Sequence, residues 1–348
     1  MKKLSLALAL GLTLVAQNKI DEATTARIRS EELEHSMVMH TEHMLADRFG
    51  PRVTGTPNHE EAVDWVIKET TSWGMKNAHK EAWNFGHPGW LNERASGFIT
   101  APVKENLKFE VLAWTPSTKG TVAGSAMQLI APHGPEAPVN ADAAAAGRGR
   151  GGAGRGPQYL EPTKAEMDVW INQVKSSVHG KMVLVGKAAV IPVDFNPPQK
   201  RLPDEPTAGG RGRGNFAGGG RGRGGQNDGR LTARQVTDQI DLMLRDNGAL
   251  VRINDAARGQ GIIVAQQNPN YDPSVTVPTV IVRNDDYGRI ERLLDDKDDV
   301  KLEFNIENKV FPEGKTSYDV VAEIPGSDKK DEIVMLGGHL DSWHAATG

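Results

Sequence analysis

His339 and Asp341 stand two residues apart, just after the apolar run Ile333-Val334-Met335-Leu336 and the pair Gly337-Gly338. A neutral imidazole is a good zinc ligand. A carboxylate two residues on can hold such a ring in place, or belong to the wider ligand set, without itself binding metal. Glu332–Leu336 reads as a strand apolar enough to be buried on both faces. In α/β sheets, ligands and catalytic groups gather beyond the carboxyl ends of strands. The two glycines remove side chains where the chain must turn or approach something closely. Spacing alone is a weak signal, because an isolated H-x-D is more often structural than functional.

The other candidate groups are weaker. His40 and His43 share a helix face at i, i+3, but nothing near them completes a metal set, so a solvated surface is the better reading. His59-Glu60 opens like the metalloprotease helix motif H-E-x-x-H, which Val63 then breaks. His344 reads as loop or pocket rim, and His79, His87, His133 and His179 stand alone. Asp285-Asp286 and Asp295-Asp296-Lys297-Asp298-Asp299 lack the alternation, central Gly and terminal Glu of an EF-hand. No phosphate-binding G-x-x-x-x-G-K loop and no G-x-S-x-G elbow is present. The chain has no cysteine, which excludes disulfides, thiolate zinc sites and thiol chemistry. Any metal site must use His, Asp and Glu.

The positioning elements follow from periodicity. Ile20–Phe49 carries apolar residues at helical spacing and reads as one or two helices. Gly50-Pro51-Arg52-Val53-Thr54-Gly55-Thr56-Pro57 is a loop. Asn58 reads as the N-cap of the next helix, with Glu61 completing a capping box. Ala62, Val63, Val66, Ile67 and Thr70 are its buried stripe, and Gly74 is its stop. From Lys80 to Ala113, short alternating runs suit strands. Further strands are expected at Met182–Val185, Ala249–Ile253, Gly261–Ala265, Thr279–Val282 and Tyr318–Ile324. Helices are expected at Lys164–Ser177, Thr232–Arg245 and Asp286–Leu294. Interleaved strands and helices mark a compact α/β module over residues 106–312.

Length 348 suggests about two domains. The net charge of −4 gives no whole-chain basic footprint for nucleic acid. Much of the excess of glycine, 38 residues, falls in two Arg-Gly segments, 141–156 and 209–230. Neither can bury enough apolar area to offset its ordering entropy, so both read as flexible insertions. RNA or single-stranded DNA binding by these tracts is the rival reading. Only Tyr159 and Phe216 are aromatic nearby, so no nucleic-acid partner is expected. Met1-Lys2-Lys3 followed by an apolar run to Ala16 matches a secretory signal peptide over residues 1–16. The run is too short to span a bilayer. Leu14 is large for its place in the cleavage site, and an uncleaved N-terminal helix or anchor is the alternative. The localisation expected is secreted or periplasmic.

Val334-Met335-Leu336-Gly337-Gly338-His339-Leu340-Asp341-Ser342-Trp343 resembles the first metal-binding motif of the co-catalytic zinc exopeptidases, in particular the carboxypeptidase Q branch and its bacterial relatives. Residues 50–58, Ser72-Trp73-Gly74-Met75 and Glu81-Ala82-Trp83 extend the resemblance, and Pro278-Thr279-Val280-Ile281-Val282 resembles part of a protease-associated domain. The resemblance implies an α/β/α zinc-exopeptidase catalytic domain divided between residues 17–105 and 313–348, with a protease-associated domain inserted at 106–312. It implies two zinc ions, His339 as the first metal ligand and Asp341 as the aspartate supporting the ligands. It also implies a peptide substrate hydrolysed at a terminal bond, by carboxypeptidase or else aminopeptidase action. Substrate-binding residues are not legible, and a homodimer is an option for the complete protein. In the family, the bridging aspartate and the catalytic glutamate follow beyond a stretch like Ala345-Ala346-Thr347-Gly348. The expectation is therefore a truncated catalytic core, inactive by itself. A non-catalytic protein-binding module is the alternative.

Overall fold

A computed structural model describes residues 21–136, 159–192 and 229–345. The signal-peptide expectation, the Arg-Gly segment 141–156 and most of the segment 209–230 lie outside the described residues.

The chain begins with α1 (Glu22–His35), α2 (Val38–Glu42) and a π-helical turn, His43–Arg48. Asp21 caps α1 by accepting from the Ala23 and Thr24 amides at 3.1 Å each. Helix α3 (Pro57–Ser72) follows. Its N-cap is Thr56, not Asn58: the Thr56 hydroxyl accepts from the His59 amide, and Pro57 occupies the first helical position, where no N–H is needed. Asn58 instead donates from its side chain to Phe49 O at 2.9 Å. Ala62 and Val63 are buried as expected, and Gly74 ends the helix at φ +88°.

Two sheets follow. Strand β1 (Lys76–Asn84) pairs antiparallel with a strand at the far end of the chain, described below. The second sheet contains β2 (Gly89–Ala101), β3 (Glu105–Asn106), β4 (Phe109–Val111), β5 (Val122–Leu129), β6 (Met182–Val185), β7 (Val251–Asp255), β8 (Thr279–Val282) and β9 (Lys301–Phe311). Its order is β3-β2-β9-β5-β6-β7-β8-β4. Strands β5 to β8 are parallel, and the strands outside them run antiparallel. Helices α4 (Lys164–Val174) and α5 (Ala233–Asp246) make the crossovers into β6 and β7, and α6 (Asn284–Asp295) follows β8. Both crossover helices begin with reciprocal capping boxes, Thr163 with Glu166 and Thr232 with Gln235.

The layering follows from β6. Met182 and Leu184 pack into a core with Tyr287 and Ile290 of α6, together with Trp90, Leu302, Phe304 and Ile306. Val183, on the opposite face, packs with Met167 of α4 and Ile240, Met243 and Leu244 of α5. Alternate side chains of β6 thus serve two cores, which is why Met182–Val185 reads as an unbroken apolar run. Arg252 and Asp241, both buried, pair at 2.7 Å beneath α5, and the Thr276 hydroxyl donates to the same carboxylate oxygen at 2.9 Å.

Strand β10 (Thr316–Glu323) closes the small sheet against β1, and α3 packs on both. Two strand expectations fail. Residues 261–265 form no strand. Residues 332–336 form none either, and Ile333, Val334, Met335 and Leu336 are 86–93% exposed. Their composition suits a buried strand, but among the described residues no neighbouring strand pairs with them.

Candidate functional site

The segment bearing His339 is held by the loop before α3. The Arg52 amide donates to Ser342 Oγ at 2.9 Å, and the Ser342 amide donates back to Arg52 O at 3.1 Å. Arg52 is 4% exposed. Its Nε donates to Leu340 O at 2.9 Å, and its Nη1 donates to Gly50 O at 2.9 Å and to Leu45 O. One guanidinium therefore ties the π-helical turn, the 50–56 loop and the 339–344 loop together. Burial pushes its pKa down, while the charges of Glu42 and Asp341 hold it up. In the sequence, Arg52 is marked only as a lone basic residue inside a Gly/Pro loop.

Glycine packing seats the same loop. A Cβ on Gly89 would lie 1.9 Å from Gly55 O, and one on Gly314 would lie 2.1 Å from it. Backbone from the loop, from β2 and from the turn before β10 meets here with no room for a side chain.

His339 and Asp341 are brought together. His339 Nδ1 lies 3.0 Å from Asp341 Oδ1, and Thr54 Oγ1 donates to Asp341 Oδ2 at 3.4 Å. The His339 side chain is 93% exposed. With Nδ1 engaged by a carboxylate, Nε2 is the atom left to ligate, which is the arrangement of a metal-binding histidine and its orienting acid. The pair fits one corner of a zinc site. It does not fit a whole one, since no group of three His, Asp or Glu side chains able to hold a metal occurs among the described residues.

His59 is buried. Its Nδ1 lies 3.5 Å from Ser317 Oγ, and burial lowers its pKa, offset in part by Asp341. The His43 ring pairs with Asp47 at 3.0 Å on an exposed helix face. His344 is more enclosed than a rim position: it is 7% exposed and packs edge-on against Trp90 at 5.1 Å. Neither of its ring nitrogens has a hydrogen-bond partner among the described residues. Burial pushes its pKa down to about 4. Asp341 and His344 also border a cavity of about 220 Å³, whose far wall includes Trp114 and Tyr271.

No family model matches the chain. Over 72 residues it is 32% identical to carboxypeptidase Q of Rattus norvegicus and 29% identical to carboxypeptidase Q of Homo sapiens. That stretch is 21% of this chain and 15% of either relative, so the match spans far less than the length of those proteins. Among solved structures, a peptidase M28 precursor from Shewanella amazonensis shares the fold, with a TM-score of 0.51 at 17% identity. That likeness covers 92% of this chain and 57% of the other. The chain is thus similar over a short stretch to carboxypeptidase Q, and it shares the fold of a peptidase M28 precursor.

Proposed function

We propose that this chain carries one part of the active site of a secreted or periplasmic, zinc-dependent exopeptidase that removes terminal residues from dipeptides or short peptides. The observation that carries the reading is the His339–Asp341 pair at 3.0 Å, held on its loop by Arg52. In this reading His339 is a metal ligand through Nε2, and Asp341 fixes the ring's tautomer and direction. Two zinc ions are expected in the complete site, and their general service would be to activate a water for attack on the peptide bond. The described residues do not complete a ligand set, so the hydrolytic step is assigned to none of them.

Carboxypeptidase action is favoured over aminopeptidase action by the likeness to carboxypeptidase Q. The module over residues 106–312, between the two site-bearing loops, is read as a protease-associated domain that borders the substrate. The lysine-flanked apolar run at residues 2–16 supports export. The test is a hydrolysis assay on the native gene product with dipeptides blocked at either end. Cleavage of N-blocked dipeptides, abolished by a chelator and restored by zinc, is the expected result. Cleavage that requires a free N-terminus would assign an aminopeptidase, and chelator-insensitive cleavage would overturn the zinc reading.

A further inference from the structure

The cavity beside Asp341 brings together aromatic side chains of distant segments, with uncharged polar groups such as Thr54, Gln266 and Gln267 among the rest of its lining. Phe85 lies 6.2 Å from Trp114 and 5.8 Å from Tyr271, and Trp114 meets Tyr271 edge-on at 4.7 Å. Trp343, 49% exposed, stands at its border on the His339 loop. Trp114 and Tyr271 both adopt left-handed backbone, with φ of 55° and 51°. Bulky residues rarely adopt this conformation, and such outliers cluster at ligand clamps. Each side chain is thus held in place by a backbone arrangement its own chemistry disfavours.

Charge and size narrow the occupant. Asp341 is the one charged side chain among the described residues that line the cavity. Its two oxygens already face His339 and Thr54. A ligand's carboxylate would meet no cation inside, and a ligand's ammonium would have to compete for an engaged acid. At about 220 Å³ the space falls below the range of roughly 300–1,000 Å³ that takes whole small molecules. It suits one side chain of a longer ligand. His344, buried and neutral, adds polar atoms without adding charge.

We propose that this cavity is a side-chain pocket for an uncharged aromatic residue of a peptide. As a statement about substrate it rests on the exopeptidase reading above, but its geometry does not depend on zinc. The test titrates the 348-residue chain with the N-acetyl amides of phenylalanine, glycine, lysine and aspartate, followed by tryptophan fluorescence and saturation-transfer NMR. Burial of the phenyl ring should make the phenylalanine amide bind about tenfold more tightly than the glycine amide. Trp343→Ala, a change at a half-exposed position, should remove most of that preference. Trp114→Leu, checked for folding by circular dichroism, should do the same. Equal binding of the four amides, tightest binding of a charged one, or a phenylalanine preference untouched by both variants would overturn the pocket. Binding is read here without hydrolysis. Selective binding by a protein whose native form cleaves no peptide would defeat the peptidase reading alone. Peptide cleavage with no selective binding would defeat the pocket alone.

Discussion

Replacing Arg52 with methionine should release the loop that bears His339. The guanidinium donates to Leu340 O, Gly50 O and Leu45 O, and no carboxylate accepts a hydrogen bond from it among the described residues. Hydrogen bonds from a charged donor contribute about 1.5–3 kcal/mol each in mutational series. The three bonds share one group, so they do not add, and methionine removes the cost of burying the charge while it keeps much of the volume. A net loss of about 3 kcal/mol in loop docking follows, which is roughly a hundredfold change in the opening equilibrium. Hydrogen–deuterium exchange reads this directly, because the Ser342 amide is bonded to Arg52 O. The Ser342 amide, followed in peptides covering residues 338–345, should exchange about a hundredfold faster in Arg52→Met, with the Met182–Val185 strand unchanged. Arg52→Lys should be intermediate, since an ammonium cannot reach three carbonyls in the planar fork. Unchanged exchange in the 338–345 peptides would refute the role given to Arg52. Equal acceleration throughout the chain would refute its confinement to the loop.

Gly89→Ala should cost about 3 kcal/mol, at the upper end of overpacking effects, because its Cβ would meet backbone that cannot rotate away; thermal unfolding measures it. His344 gives a pH dependence of defined sign. Its folded pKa, pushed down to about 4, lies below the ordinary value of 6.5, so the unfolded chain binds the extra proton first. The stability from its neutral burial is complete above about pH 6.5 and is lost as pH falls towards 4, by about 3 kcal/mol. Urea unfolding at several pH values should show this loss, and His344→Phe should flatten that part of the profile relative to the parent chain.

Much of the fold was legible because local pattern and tertiary demand agree. Met182–Val185 is apolar throughout and Thr279–Val282 is apolar after Thr279, and both become buried strands of the parallel run. The helix over Lys164–Ser177 ends where its periodicity does, in a 3-10 turn. Asn58 misled because Pro57 allows the helix to start two residues earlier, with Thr56 as its cap. Residues 332–336 misled for a different reason. Apolar composition states what a segment would bury, and a strand also needs a partner for its N–H and C=O groups. At the site, His339 and Asp341 could be read from their spacing and motif. Arg52 and the aromatic walls could not, because their contacts join residues up to 290 positions apart that no local pattern links.

In the proposed site His339 binds zinc through Nε2 with Asp341 behind it. Nitrogen-15 histidine NMR of the chain during zinc titration tests it most directly, with the His339 signals assigned by His339→Ala. Zinc should move the His339 Nε2 resonance in fast exchange, as expected for a single ligand, and Asp341→Ala should weaken that response by about 10- to 100-fold. A His339 resonance that stays still while zinc shifts other histidines, or one indifferent to the loss of Asp341, would rule out His339 as the ligand.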